Sequence, residues 1–166
     1  MNSYGTLIFF CGKMGAGKST LSASIARERG AVLLSEDDWL AALFPADIND
    51  FNDYISYSSR LKPLLRAHVE QILMAGTTVV LDFPGNTRKQ RAWFKDIYSQ
   101  REIPHELYYV VADDEICLKQ LKQRQKEQPE RATFDTEEVF RVVTGYFEPP
   151  EESEGFNVEV VARAFT

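Results

Sequence analysis

Apolar residues fall along the chain in two alternating patterns. Short unbroken runs at residues 6–10 (TLIFF), 77–81 (TTVVL) and 107–111 (LYYVV) predict strands buried on both faces of a parallel sheet. Shorter runs at 31–34 and 156–161 predict two more. Between them, Leu21, Ile25 and Ala26 recur at helical spacing over residues 18–29, with Gly30 as C-cap. Residues 36–44 read as a short helix stopped by Pro45. Tyr57, Leu61, Leu64, Leu65, Val69, Ile72 and Leu73 mark one face of a longer helix that Gly76 ends, with Pro63 either kinking it or sitting in its first turn. Further helices are predicted over 87–99, over 114–126 with Asp113 or Asp114 at its start, and over 133–147 with a capping-box pattern at Asp135, Thr136 and Glu138. Strands alternating with helices predict an α/β fold: a parallel five-stranded sheet with helices on both faces and ligands over the carboxyl ends of the strands.

The length of 166 residues suits one domain over 1–166, and 44% hydrophobic residues are enough for a full core. The first residues carry no basic leader or cleavage site, so the opening apolar run reads as a strand, not a signal peptide. No run approaches the roughly 20 apolar residues of a membrane span. Cys11 and Cys117 lack the paired spacing of a zinc or redox site, which points to core packing in a reducing cytoplasm. The net charge of −6 disfavours sequence-blind adhesion to nucleic acid, though it leaves room for a local basic groove.

The most specific signal follows the first predicted strand. Gly12, Lys13, Met14, Gly15, Ala16, Gly17, Lys18 and Ser19 match GxxxxGK[ST] without a gap, and Thr20 follows. The glycines let backbone N–H groups turn inward around phosphate oxygens, and the helix starting near Lys18 presents its positive dipole end to the same anion. Lys18 is expected to reach the β- and γ-phosphates and Ser19 to ligate magnesium. This strand, loop and helix order predicts a P-loop NTPase fold that binds ATP and Mg²⁺; no NKxD or TKxD guanine-reading motif occurs in the chain.

Carboxylates cluster at the same predicted sheet edge. The second strand ends in Ser35, Glu36, Asp37 and Asp38. A hydroxyl attacking a γ-phosphate must lose a proton, and Asp37 is the candidate base, with Asp38 beside it as a substrate contact. Asp37 could equally cap the helix that follows. Asp82 closes the third strand where a carboxylate would help hold magnesium, or it simply begins a turn. Arg88 and Arg91, three apart on one helical face, are candidate substrate contacts with solvated surface as the plain alternative. Arg124 and Arg131 lie within the polar segment KQLKQRQKEQPER, residues 119–131, where a small lid over about 124–134 would bring guanidinium groups to the transferring phosphate. A basic helix terminus suited to the macrodipole is the competing reading.

Together GKMGAGKST, LSEDDW, VVLDFPGNTRKQRAWF and LKQRQKEQPER resemble the zeta-toxin-like and polynucleotide-kinase-like P-loop kinases, a group that includes chloramphenicol phosphotransferase. The resemblance covers nearly the whole chain. It implies that Asp37 stands where those kinases carry the catalytic aspartate, that Asp82 matches their third-strand aspartate, and that Arg124 and Arg131 match their lid arginines. One departure matters. Where the polynucleotide kinases place a substrate-contacting arginine three residues after the base, this chain has Leu40.

These features predict an ATP-dependent phosphotransferase acting on a hydroxyl of a small molecule such as an antibiotic or nucleotide sugar. A polynucleotide 5′-hydroxyl kinase and a nucleotide-binding or ATP-hydrolysing switch are the alternatives. Trp39, Phe44, Phe51, Tyr54 and Tyr57 fall where an acceptor pocket would be built, although aromatics at such spacing also serve as core. His68 and His105 form no metal pattern.

Overall fold

The computed structural model describes residues 3–163. In chain order the elements are β1 (Leu7–Cys11), α1 (Lys18–Arg29), β2 (Val32–Ser35), α2 (Glu36–Leu43), α3 (Phe51–Met74), β3 (Val79–Asp82), α4 (Arg88–Tyr98), β4 (His105–Val111), α5 (Asp114–Glu127), α6 (Glu137–Thr144) and β5 (Val158–Ala162). The strands form one parallel sheet in the order β2-β3-β1-β4-β5.

β1 lies at the centre, and its five residues are completely buried, as an unbroken apolar run requires. Leu7, Phe9 and Cys11 face one layer, where they meet Leu61, Leu65, Val69 and Leu73 of α3 and Phe94 and Ile97 of α4. Ile8 and Phe10 face the other, against Ile25 and Ala26 of α1. Cys117 and Leu121 of α5 and Phe140 of α6 pack with Val110 and Ala16 at the end of that second layer. Both cysteines are free and buried, as core packing predicts. Among the described residues no helix is long and apolar enough to cross a membrane.

Several boundaries differ from the sequence-based expectation, each for a physical reason. α3 begins at Phe51, not near Tyr57, because Asp50 caps it by accepting the Asp53 N–H at 2.8 Å. Pro63 therefore lies in the helix interior rather than its first turn. The last helix begins at Glu137, not residue 133. Thr136 is its N-cap, accepting from the Val139 N–H at 3.1 Å, and Asp135 is drawn into another set of bonds.

The register fixes what the strand ends present. Ser35 pairs with Asp82 across β2 and β3, so the Ser35–Asp38 segment and Asp82 sit side by side at the carboxyl edge. The loop after β1 opens at that same edge.

Candidate active site

The loop between β1 and α1 folds as its glycines dictate. Gly15 has φ +80°, and a Cβ there would fall 2.6 Å from the Cys117 carbonyl oxygen, so only glycine lets the loop close onto α5. The Ala16 N–H donates to Lys13 O at 3.0 Å. Met14 packs against the α5–α6 cluster. Gly12 and Gly17 complete the turn, and Gly17 precedes the first residue of α1.

Lys18 is folded back into this loop. Its ammonium donates to Gly12 O and, at 3.3 Å, to Lys13 O. Burial pushes its pKa down to about 8. Lys13 points outward and pairs with Asp114 at 2.7 Å. Ser19 and Thr20 are exposed at the first turn of α1. Asp82 stands next to this turn; burial raises its pKa, while a hydrogen bond from Ser19 and the Lys18 charge act in the opposite direction. One serine hydroxyl and one strand-end carboxylate suit magnesium, which keeps several waters and takes its remaining ligands from phosphate. Among the described residues no group of three or more His, Cys, Asp or Glu side chains forms a metal cage.

The carboxylates of the Glu36–Asp38 segment have different fates. Glu36 is 1% exposed and accepts from the Tyr54 hydroxyl and, at 2.8 Å, from Ser58 Oγ; burial raises its pKa. It ties α2 to α3. The N-cap of α2 is Ser35, which accepts the Asp38 N–H at 3.4 Å, so the helix cap is not made by Asp37. The Asp37 side chain stays 46% exposed. Asp38 is exposed beside it.

Opposite Asp37 lies the segment that follows α5. Arg124 forms a fork on Asp135, with Nε 2.6 Å from Oδ2 and Nη2 2.5 Å from Oδ1. Arg131 Nε donates to the same Oδ2 at 3.2 Å, and its Nη1 lies 3.4 Å from Asp37 Oδ2. The structure thus brings Asp37, Arg124, Arg131, Lys18 and Asp82 to one edge.

Arg88 and Arg91 part company. Arg88 is half-exposed and pairs with Glu151. Arg91 corrects the expectation of a substrate contact, because it is fully buried and engaged on every side. Its Nε and Nη2 take Glu154 at 2.9 and 3.1 Å, and its Nη1 donates to Gly85 O at 2.9 Å and Glu148 O at 2.8 Å. It straps the acidic 148–154 segment beneath the loop. The aromatic residues divide in the same way: Trp39, Phe44, Tyr54 and Tyr57 pack on the core, and Phe51 is exposed.

Sequence reasoning missed Asn86. Its Oδ1 accepts the Gly12 N–H at 3.0 Å and lies 3.5 Å from Lys18 Nζ, while its own N–H donates to Gln90 at 2.8 Å. Gly85 makes this reach possible, since a Cβ there would meet Phe10 O at 2.2 Å. Asp135 was legible only as a helix-start residue. Arg163, at the end of β5, donates to Gly17 O at 3.3 Å and was not singled out either.

A parallel sheet of this strand order, with the GxxxxGK[ST] loop after its central strand, defines a P-loop fold of the kinase-like type. A model of the AAA domain family AAA_33 matches residues 7–150, and the chain belongs to that family. Similar solved structures share the fold at low identity. Chaetomium thermophilum Kti12 in complex with ADP-AlF3 is 15% identical with a TM-score of 0.68, covering 94% of this chain and 88% of its own. The Mycobacterium tuberculosis APS kinase CysC with AMPPNP and APS is 16% identical with a TM-score of 0.63, covering 99% and 91%. A chain of the Pnkp1/Rnl/Hen1 RNA repair complex is 18% identical with a TM-score of 0.63, covering 89% of this chain and 48% of its own. No curated protein matches the sequence.

Proposed function

We propose that the chain is an ATP- and Mg²⁺-dependent kinase that transfers the γ-phosphate to a hydroxyl of a small-molecule acceptor. The observation that carries this reading is the meeting of Asp37 and Arg131, an acid that can accept a proton and a cation that can meet the transferring phosphate, at the edge that holds Lys18.

In this reading Gly12 to Thr20 cradle the phosphates, and Lys18 turns from Gly12 O toward the β- and γ-oxygens. Ser19 and Asp82 would hold magnesium, which would supply positive charge to the phosphate oxygens. Asp37 takes the acceptor's proton; Glu36 is already bonded to Tyr54 and Ser58 and cannot serve. Arg124 and Arg131 of the lid over 124–134 stabilise charge as the phosphoryl group moves. Leu40 is buried in the core, so the acceptor side of α2 lacks the arginine that a phosphate-bearing nucleic-acid end would want. Exposed Asp37 and Asp38 favour a neutral or cationic acceptor.

The test is transfer of label from γ-labelled ATP to a panel of antibiotics, nucleosides, nucleotide sugars and DNA or RNA 5′ ends. Label in a small molecule supports the proposal. Label on a nucleic-acid end would establish the polynucleotide alternative, and label appearing in free phosphate alone would favour an ATP-hydrolysing switch.

A further inference from the structure

Asp135 is the most deeply buried acid of the described chain outside the elements that build the phosphate loop and the base. Its side chain is 0% exposed, yet it is bonded to two arginines that remain partly open, Arg124 at 29% and Arg131 at 24%. Both carboxylate oxygens are used: Oδ1 takes Arg124 Nη2, and Oδ2 takes Arg124 Nε and Arg131 Nε. The backbone is pinned as well, because the Asp135 N–H donates to Arg131 O at 2.9 Å and its carbonyl accepts from Gln125 at 2.6 Å.

A buried acid that served only packing would be matched by one cation facing inward. Here one buried carboxylate faces two guanidinium groups, and the second positive charge is met only at the open edge, by Asp37. Asp135 engages only part of each guanidinium, and on Arg131 the remaining Nη1 reaches Asp37. Arginine side chains on a polar surface segment would otherwise sample many rotamers. A bidentate carboxylate fixes the plane of Arg124 and, through the shared oxygen, the bearing of Arg131.

We propose that Asp135 is a positioning residue that locks Arg124 and Arg131 into one frame, so that both meet the transferring phosphate together. The inference rests on the kinase reading above and deepens it. Charge placed in advance where charge develops stabilises the transition state more than the ground state. Losing Asp135 therefore weakens binding of a transition-state mimic far more than binding of nucleotide.

The experiment needs no acceptor. Binding of Mg·ADP, with and without aluminium fluoride, is measured for the wild type, Asp135→Asn, the Arg124→Ala/Arg131→Ala double variant and the triple variant, with thermal melting of each. Asp135→Asn is expected to keep ADP affinity within about threefold and to lose about tenfold or more in affinity for ADP with aluminium fluoride. The triple variant should lose no more than the double. Equal losses for both ligands, no loss for either, or a loss that adds to that of the arginines would each overturn the proposal. Should Asp135→Asn not fold, Asp135→Glu keeps the charge but displaces it, and unchanged binding of the fluoride complex in that variant would overturn it. A wild-type chain that binds no ADP overturns the nucleotide reading, and this inference with it; a wild type that binds both ligands confines any failure to Asp135.

Discussion

Arg131 and Asp37 face each other across the candidate site, with Nη1 3.4 Å from Oδ2, although they lie 94 residues apart in sequence. The contact joins the first turn of α2 to the segment after α5. Replacing Arg131 with alanine is expected to lower kcat by about 10²-fold or more while ATP affinity changes little, because the cation acts on charge that grows in the transition state. Steady-state kinetics alongside equilibrium ATP binding separates the two; an equal loss in both would make Arg131 a ground-state contact.

Asp37→Asn and Ser35→Ala should fail in opposite ways. The first is expected to retain nucleotide and magnesium binding at unchanged melting temperature and to lose about 10²–10⁴ in transfer rate. The second removes the N-cap of α2 and should cost about 1 kcal/mol of stability with little effect on chemistry. Denaturant titration and kinetics on the same two proteins check both.

The Lys18 pKa, pushed down to about 8 by burial, gives a pH signature. From about pH 8 to the unfolded lysine value near ~10.4, the unfolded chain binds more protons than the folded one, so stability rises with pH in that window. Lys18→Met should abolish the rise and, with it, nucleotide turnover. Phosphate oxygens restore the ammonium's charge, so ATP binding takes up a proton in the same window and weakens as pH climbs through it. Calorimetry in two buffers of different ionisation enthalpy measures the uptake.

Ser19→Ala and Asp82→Ala are each expected to raise the magnesium concentration needed for half-maximal activity, while ADP binding without metal persists. A magnesium titration of the three proteins checks this, and an unchanged requirement in both variants would relocate the metal.

Arg91→Ala should destabilise the fold by about 3–5 kcal/mol, because it breaks the pair of a fully buried guanidinium with Glu154 and leaves the Gly85 and Glu148 carbonyls without their donor. Urea unfolding measures it. Lysine should not rescue the loss, since it cannot reproduce the fork that holds Glu154, Gly85 and Glu148 together.

Much of this architecture could be read from local pattern alone. The phosphate loop was legible because its chemistry is set by glycine spacing within nine residues, Gly12 to Thr20, and β1 because five apolar residues in a row leave it nowhere but the sheet centre. Asp82 could be placed because a strand end has a fixed location. Roles set by distant partners could not. Arg88 and Arg91 look alike at three-residue spacing, and only the return of residues 148–154 buries one and leaves the other half-exposed. Asp135 beside Thr136 suggests a capping pair; the cap belongs to Thr136 because two arginines claim its neighbour. Asn86 carries no motif signal, since its partner Gly12 lies 74 residues away.

The path of bonds from Glu154 through Arg91 and Gly85 to Asn86 and Gly12 also imposes a timetable on biosynthesis. The phosphate loop leaves the ribosome well before the acid that braces its support, which lies 63 residues beyond Arg91. A nascent chain that has emerged only as far as α5 owns the nucleotide motif but not the clamp that shapes it. A nucleotide held by this loop would therefore act as a folding ligand only after residue 154 has cleared the exit tunnel.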